Sequence, residues 1–145
     1  MKTTLFFAAS LFFTFNAIAG NNSSMTYVIT NNDSIACKNV VLESDAIRVD
    51  MADFTFVEMQ KADVKAYSVN GKLFAKLPVY RNNKATGAFA FMELVKENNG
   101  FKLYQFSENG RVQQYVFHNN KYYVGVTDNN KSTLLGFFND DSATN

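Results

Sequence analysis

Four residue pairs, Asn70-Gly71, Asn99-Gly100, Asn109-Gly110 and Asn119-Asn120, stand between stretches of alternating aromatic and β-branched residues. Asn and Gly accept positive φ at little steric cost, and that is the backbone a two-residue type I′ hairpin turn demands. Each pair therefore commits the chain to reverse onto itself. The last three join AFAFMELVKE, FKLYQFSE, RVQQYVFH and KYYVGVT into a predicted antiparallel meander over residues 87 to 126.

Turn position determines which residues face each other. With Asn109-Gly110 as the loop, Glu108 faces Arg111, Tyr104 faces Tyr115 and Leu103 faces Val116. The neighbouring turns set Glu97 opposite Lys102, Val95 opposite Tyr104, Phe117 opposite Tyr122, Tyr115 opposite Val124 and His118 opposite Phe101. Ion pairs and aromatic pairs coincide in this register, each contributing roughly 0.2–1 kcal/mol relative to alanine pairs. One face gathers Phe89, Phe91, Val95, Tyr104, Phe106, Tyr115, Phe117, Tyr122, Val124 and Val126, with Glu93 as its one charged member. The other carries Ala88, Ala90, Met92, Leu94, Leu103, Val112, Val116 and Tyr123. A half-exposed antiparallel sheet alternates apolar with polar residues, so two apolar faces each call for a cover. A second sheet on one face and a terminal segment on the other is expected, with Tyr104, Phe106, Tyr115 and Phe117 in the core; a ligand cavity or partner surface there is the alternative.

Residues 1–19 have the form of a secretory signal peptide: Lys2, the apolar run from Leu5 to Ile18, and Ala17-Ile18-Ala19 ahead of Gly20. A periplasmic or extracellular location is the expectation. The apolar run is shorter than the roughly 20 residues a membrane span needs. Its removal leaves 126 of the 145 residues and takes Lys2 from the 14 basic ones, so that 13 basic residues face 13 acidic ones. Near-zero net charge argues against nucleic acid, which requires a basic excess to displace counterions. Cys37 is the only cysteine, so the fold is held by packing without disulfides.

The expected domain runs from 25 to 138, after a polar lead-in at 20–24 and before a polar tail at 139–145. MTYVIT and IACKNVVL flank Asn31-Asn32-Asp33-Ser34 as a first hairpin, with Cys37 as a half-buried strand residue; AIRVDM and FTFVEM follow as strands. Residues 60–63 fit one helical turn or a loop. Around Asn70-Gly71, Val64, Ala66, Leu73, Ala75, Leu77 and Val79 share the expected core side. Lys65, Tyr67, Lys72, Phe74 and Lys76 share the expected water side, where Lys65 opposite Lys76 is tolerable only in water or against an anion. Pro78 cannot donate to a ladder and implies an edge at that point. RNNKATG, residues 81 to 87, is the longest polar connection, able to carry the chain between sheets and the best candidate for a binding loop. Leu134, Phe137 and Phe138, following Asp128, Asn129 and Asn130, suit a short C-terminal helix over 131–138. The whole is an all-β class: about eight to ten short antiparallel strands in a two-sheet sandwich or partly open barrel.

Chemistry is sparsely represented. The chain after residue 19 has one His and one Cys, no metal-ligand cluster, no phosphate-cradling glycine loop and no nucleophile elbow, so neither metal, cofactor nor catalytic residue is expected. Glu93, placed among aromatic residues, would orient a ligand, reach the rim, or pair with Lys102 or Arg111. The order YVITNNDSIACKNV, ADVKAYSVNGKLF, FMELVKENNGFKLYQF, QQYVFHNNKYYVGV and KSTLLGFFND resembles small exported β-rich proteins of Bacteroidetes-type bacteria, which share an "NGD-T-I" turn, a "D-I-K-x-Y/F" stretch and a final "L-x-x-F-F-x-D" helix. Asn32-Asp33-Ser34-Ile35 and Asp63-Val64-Lys65-Ala66-Tyr67 carry the match, and the resemblance implies no activity. The functional expectation is an exported, non-enzymatic binding module of the cell envelope, the alternative a small β-barrel carrier of a hydrophobic ligand. Candidate contact residues for a protein partner or such a ligand are Glu93, Tyr104, Phe106, Tyr115, Phe117, Lys65 and Lys76. A hydrolase built on Cys37, with His118 as its partner, or on an acidic pair ranks last.

Overall fold

The computed structural model describes residues 25–139. The expected leader, the lead-in and the tail beyond Asn139 lie outside the described residues. Eleven strands and one helix follow in order: β1 (Tyr27–Thr30), β2 (Ser34–Ala36), β3 (Asn39–Leu42), β4 (Ala46–Asp50), β5 (Phe56–Gln60), β6 (Val64–Val69), β7 (Lys72–Arg81), β8 (Lys84–Asn98), β9 (Phe101–Glu108), β10 (Arg111–His118), β11 (Lys121–Gly125) and α1 (Lys131–Asn139). The class is all-β, as expected, with strands more numerous than eight to ten. Two of them, β7 and β8, are long at 10 and 15 residues.

The strands form an eight-stranded antiparallel sheet, ordered β11-β10-β9-β8-β7-β6-β1-β2, and a three-stranded sheet, ordered β3-β4-β5. Neither closes into a barrel. All four sequence-defined turns adopt the left-handed backbone they require, from Asn70 at φ 52° to Asn120 at φ 61°. A fifth pair, Asn82 (φ 49°) and Asn83 (φ 60°), does the same between β7 and β8. RNNKATG is therefore a hairpin tip and not a crossing between sheets. The chain changes sheets at Cys37-Lys38 and again at 61–63, which makes the small sheet an insertion between β2 and β6. Thus IACKNVVL is split between the sheets, and Cys37 lies in the joint, half-buried, its amide donating to Thr26 O at 3.0 Å.

Much of the expected register is present: Glu108 opposite Arg111, Tyr104 opposite Tyr115, Leu103 opposite Val116, His118 opposite Phe101, Glu97 opposite Lys102, and Phe117 opposite Tyr122. Two β-bulges correct the rest. In β8 the partner of Tyr104 is Leu94 and the partner of Leu103 is Lys96, so Val95 is an extra, unpaired residue. In β11 Val116 pairs with Val124 and Tyr115 with Gly125, so Tyr123 is the extra one. Because side chains alternate with period two, one extra residue moves everything beyond it to the opposite face. Phe89, Phe91 and Glu93 consequently lie on the face opposite Tyr104, Phe106, Tyr115 and Phe117, and Val124 lies opposite Tyr122.

On the first face, Met92, Tyr104, Tyr115, Phe117 and Val79 are buried together, with Ala75, Leu77, Tyr80, Leu94, Phe106 and Tyr122 packed around them. The sheet itself provides the cover. Between Pro78–Phe89 and Tyr80–Ala85 the ladder slips: β8 spends Thr86, Gly87 and Ala88 against the single Val79 of β7. Gly87 takes φ 84°, which a side chain rarely adopts, and the Thr86 hydroxyl donates to Val79 O at 3.0 Å. The hairpin tip beyond this irregularity reaches β9–β11. Tyr80 stacks on Tyr122 at 3.8 Å between ring centroids, Tyr115 Oη donates to Tyr80 O at 2.5 Å, Tyr122 Oη donates to Asn83 Oδ1 at 2.7 Å, and Arg81 pairs with Glu108 at 2.9 Å.

The second face has two separate covers. Against β6–β8 lies the small sheet, whose Val40, Ile47 and Val49 are buried with Val28, Val64 and Tyr67, and Phe74 and Phe91 pack on this cluster. Tyr67 and Phe74, expected in water, belong to this core; their rings stack at 4.8 Å. Val64 shares the cluster despite its different parity, because a bulge between Ile29 and Thr30 on the β1 side pairs Thr30 with Val64 and Ile29 with Ala66. Over β9–β11 lies α1, which buries Phe138 with Leu103 and Val116. Asn130 precedes this helix, its side chain accepting from Thr127 N (2.7 Å) and donating to Gly125 O (2.9 Å), so it ties the helix start to the end of β11. Pro78 lies past the last β6–β7 pair, Ala66–Ala75, where β7 has no paired strand on that side among the described residues.

Candidate functional site

Between the two covers of the second face a strip of the large sheet is left open. It forms a cleft of about 900 Å³, with β7–β10 as floor and Leu42 and the 61–62 crossover as wall. Phe74 and Phe91 are half-buried in its base, and Phe89 (64% exposed), Val112 (66%) and Leu42 (48%) form an apolar rim. These are large apolar side chains standing in water in one patch, the pattern that marks an interaction surface.

A polar ladder crosses the floor. Lys72 Nζ lies 3.0 Å from Glu93 Oε1, Gln105 Nε2 donates to Glu93 Oε2 at 3.3 Å, and Gln114 Nε2 donates to Gln105 Oε1 at 3.4 Å. Glu93 is thus neutralised by Lys72, not by Lys102 or Arg111; Lys102 is 3.9 Å from Glu97. At the other end Lys76 Nζ donates to Lys61 O (3.0 Å) and Ala62 O (2.7 Å), and Lys61 Nζ donates to Ser44 O (2.5 Å). Neither forms an ion pair among the described residues.

Of the seven sequence-nominated residues, Glu93 and Lys76 stand on the cleft's own face, and Phe106 borders it from β9 while its ring packs 5.6 Å from that of Tyr115 on the first face. Tyr104, Tyr115 and Phe117 do not line it; they are 3–6% exposed inside the aromatic core, where burial and, secondarily, the charge of Glu97 push the Tyr104 hydroxyl up to about 12. Lys65 is exposed and away from the cleft, and the ladder stops at Ala66–Ala75, short of the Lys65–Lys76 opposition. Phe74, Phe91, Leu42 and Val112 were not nominated. The bulge at Val95 hides Phe91 from a constant register, Phe74 reads as a water-facing residue of its hairpin until the small sheet packs on that side, and the same packing brings Leu42 near.

Cys37 and His118 do not meet: the one follows β2 at one edge of the large sheet, the other ends β10, six strand positions away. Burial, followed by the Asp50 carboxylate, raises the Cys37 thiol above its ordinary value, opposite to what a nucleophile requires. His118 stacks on Phe101 at 4.1 Å. Among the described residues no three His, Cys, Asp or Glu side chains gather as a metal site would require, and no helix is long and apolar enough to cross a membrane. No protein-family model, no curated protein and no solved structure matches this chain.

Proposed function

We propose that this protein is an exported, non-enzymatic binding module of a bacterial cell envelope and that its cleft is the surface it uses. The supporting observation is the exposed apolar rim of Phe89, Val112 and Leu42 over a floor whose one carboxylate is already paired. The signal-peptide pattern of residues 1–19 supports export, and the separation of Cys37 from His118 supports the absence of catalysis. Carriage of a small hydrophobic ligand is a second reading, favoured by the cleft volume of about 900 Å³, within the roughly 300–1,000 Å³ of small-molecule sites. Its place is the cleft and not a barrel interior, since the rings of Tyr80, Tyr104, Tyr115, Phe117 and Tyr122 pack against one another on the coiled face.

Native mass spectrometry of protein recovered outside the cytoplasm tests both readings. A partner or dimer mass supports the module, a retained small molecule supports the carrier, and in either case the measured mass should begin at or near Gly20. An intact Met1 on such protein defeats the reading of residues 1–19 as a cleaved signal peptide.

A further inference from the structure

The cleft carries more than apolar surface, and its charge is uneven. Four ion pairs exist among the described residues, and they consume Arg48, Lys72, Arg81 and Lys102. Lys61 and Lys76, both half-buried at the crossover end of the cleft, have only main-chain carbonyls as partners. A carbonyl accepts a hydrogen bond but does not cancel a charge, and an ammonium has three donors. Lys76 uses two of its three and Lys61 one, so three N–H donors are left over, and neither ammonium has an ion-pair partner among the described residues, beside Phe74, Phe91 and Phe89. The one acidic group of the lining, Glu93, is already held by Lys72.

Resting on the reading that the cleft is a binding surface, we infer that its occupant is a small amphipathic carboxylate. The anionic head meets Lys61 and Lys76, and the apolar body lies over Phe74, Phe91 and Phe89 toward Val112. A charged head of the right sign is recognised by charge-assisted hydrogen bonds in a partly desolvated setting, while the body is held by apolar area removed from water. A cationic amphiphile of equal length finds the same apolar floor but a like charge at the crossover.

Amide NMR titrations of the purified protein with decanoate and, separately, decyltrimethylammonium test this. Decanoate is expected to shift the amides of Leu42, Lys61, Phe89, Phe91 and Val112, with affinity about tenfold or more above that of the cation. Lys61→Met, whose lost bond is a single exposed one to Ser44 O, is expected to weaken decanoate about three- to tenfold and leave the cation unchanged or better bound. Lys84→Met, at the remote hairpin tip, should change neither. Equal affinity for the two amphiphiles, or Lys61→Met without effect on decanoate, overturns the carboxylate assignment but leaves the cleft as an apolar binding surface. Absence of cleft shifts with either probe overturns the carboxylate assignment together with the small-ligand reading of the cleft.

Discussion

Tyr104 sits opposite Tyr115 in the ladder and against Phe117 edge-on at 5.6 Å, and its hydroxyl ionises only at about 12. The unfolded phenol ionises near its ordinary 10.0, so the fold binds the proton more tightly than the open chain does. Stability from this difference is complete below pH 10 and is lost as pH rises toward the folded value, by about 2–3 kcal/mol over that window. Tyr67, Tyr115 and Tyr122 are raised in the same direction, mainly by burial. Denaturant unfolding from pH 8 to 12 should therefore show an alkaline fall, shallower in Tyr104→Phe. Phe54 is a different kind of residue: its ring is 87% exposed while its backbone holds φ 67°. A bulky side chain at positive φ is strained, and Asn accepts that region far better. Phe54→Asn is expected to raise stability by about 0.5–1 kcal/mol after loss of the Lys38 ammonium 4.8 Å above the ring, measurable as a higher denaturation midpoint.

Among the elements, α1 has the clearest task, since its Phe138, Leu134 and Leu135 pack over Leu103 and Val116. Helical spacing predicts a stripe of Leu134, Phe137 and Phe138, whereas the residues that pack on the sheet are Leu134, Leu135 and Phe138. Phe137, expected with them, is 38% exposed and meets Phe101 edge-on at 5.4 Å. The far end is tied to the sheet by Asn98, whose side-chain amide donates to Phe137 O at 2.7 Å, and by Lys96 to Asn139. Phe138→Ala should cost about 3 kcal/mol through lost burial and an unfilled void, and hydrogen exchange should quicken along β9 and β10. The same substitution at Phe137 should cost clearly less. A second element, the β7–β8 hairpin, depends on Gly87: any other residue there must hold φ near 84°. Gly87→Val should loosen the tip and its Tyr80–Tyr122 stack without a direct steric clash, because no atom lies within 4 Å of a Cβ built there.

At the scale of the whole molecule, the two faces of the large sheet answer different needs, and truncations should separate them. Phe117→Ala, at 3% exposure within the aromatic core, should cost about 3–5 kcal/mol in denaturant unfolding, whereas Phe89→Ala on the cleft rim should cost under about 1 kcal/mol. A small loss at Phe117 would contradict the packing of that face. The all-β class, the turns, six of the cross-strand pairings and the helix were legible in the sequence, because each depends on residues within a hairpin's reach. An Asn-Gly pair selects its turn from its own φ preferences, and the turn sets the nearest pairs. What lies beyond a bulge was not legible. Val95 and Tyr123 look like ordinary strand residues, yet one unpaired residue reverses the facing of all that follows, and whether a bulge forms depends on the sheet's coiling and the packing on both its sides. The departure of the chain at Cys37-Lys38 and its return at 61–63 were hidden for the same reason, since the small sheet acquires a place only when Val40, Ile47 and Val49 find Val28, Val64 and Tyr67 across the layer. The cleft, made from Leu42, Lys61, Phe74, Phe91 and Val112 of five separate segments, exists only once those layers are in contact.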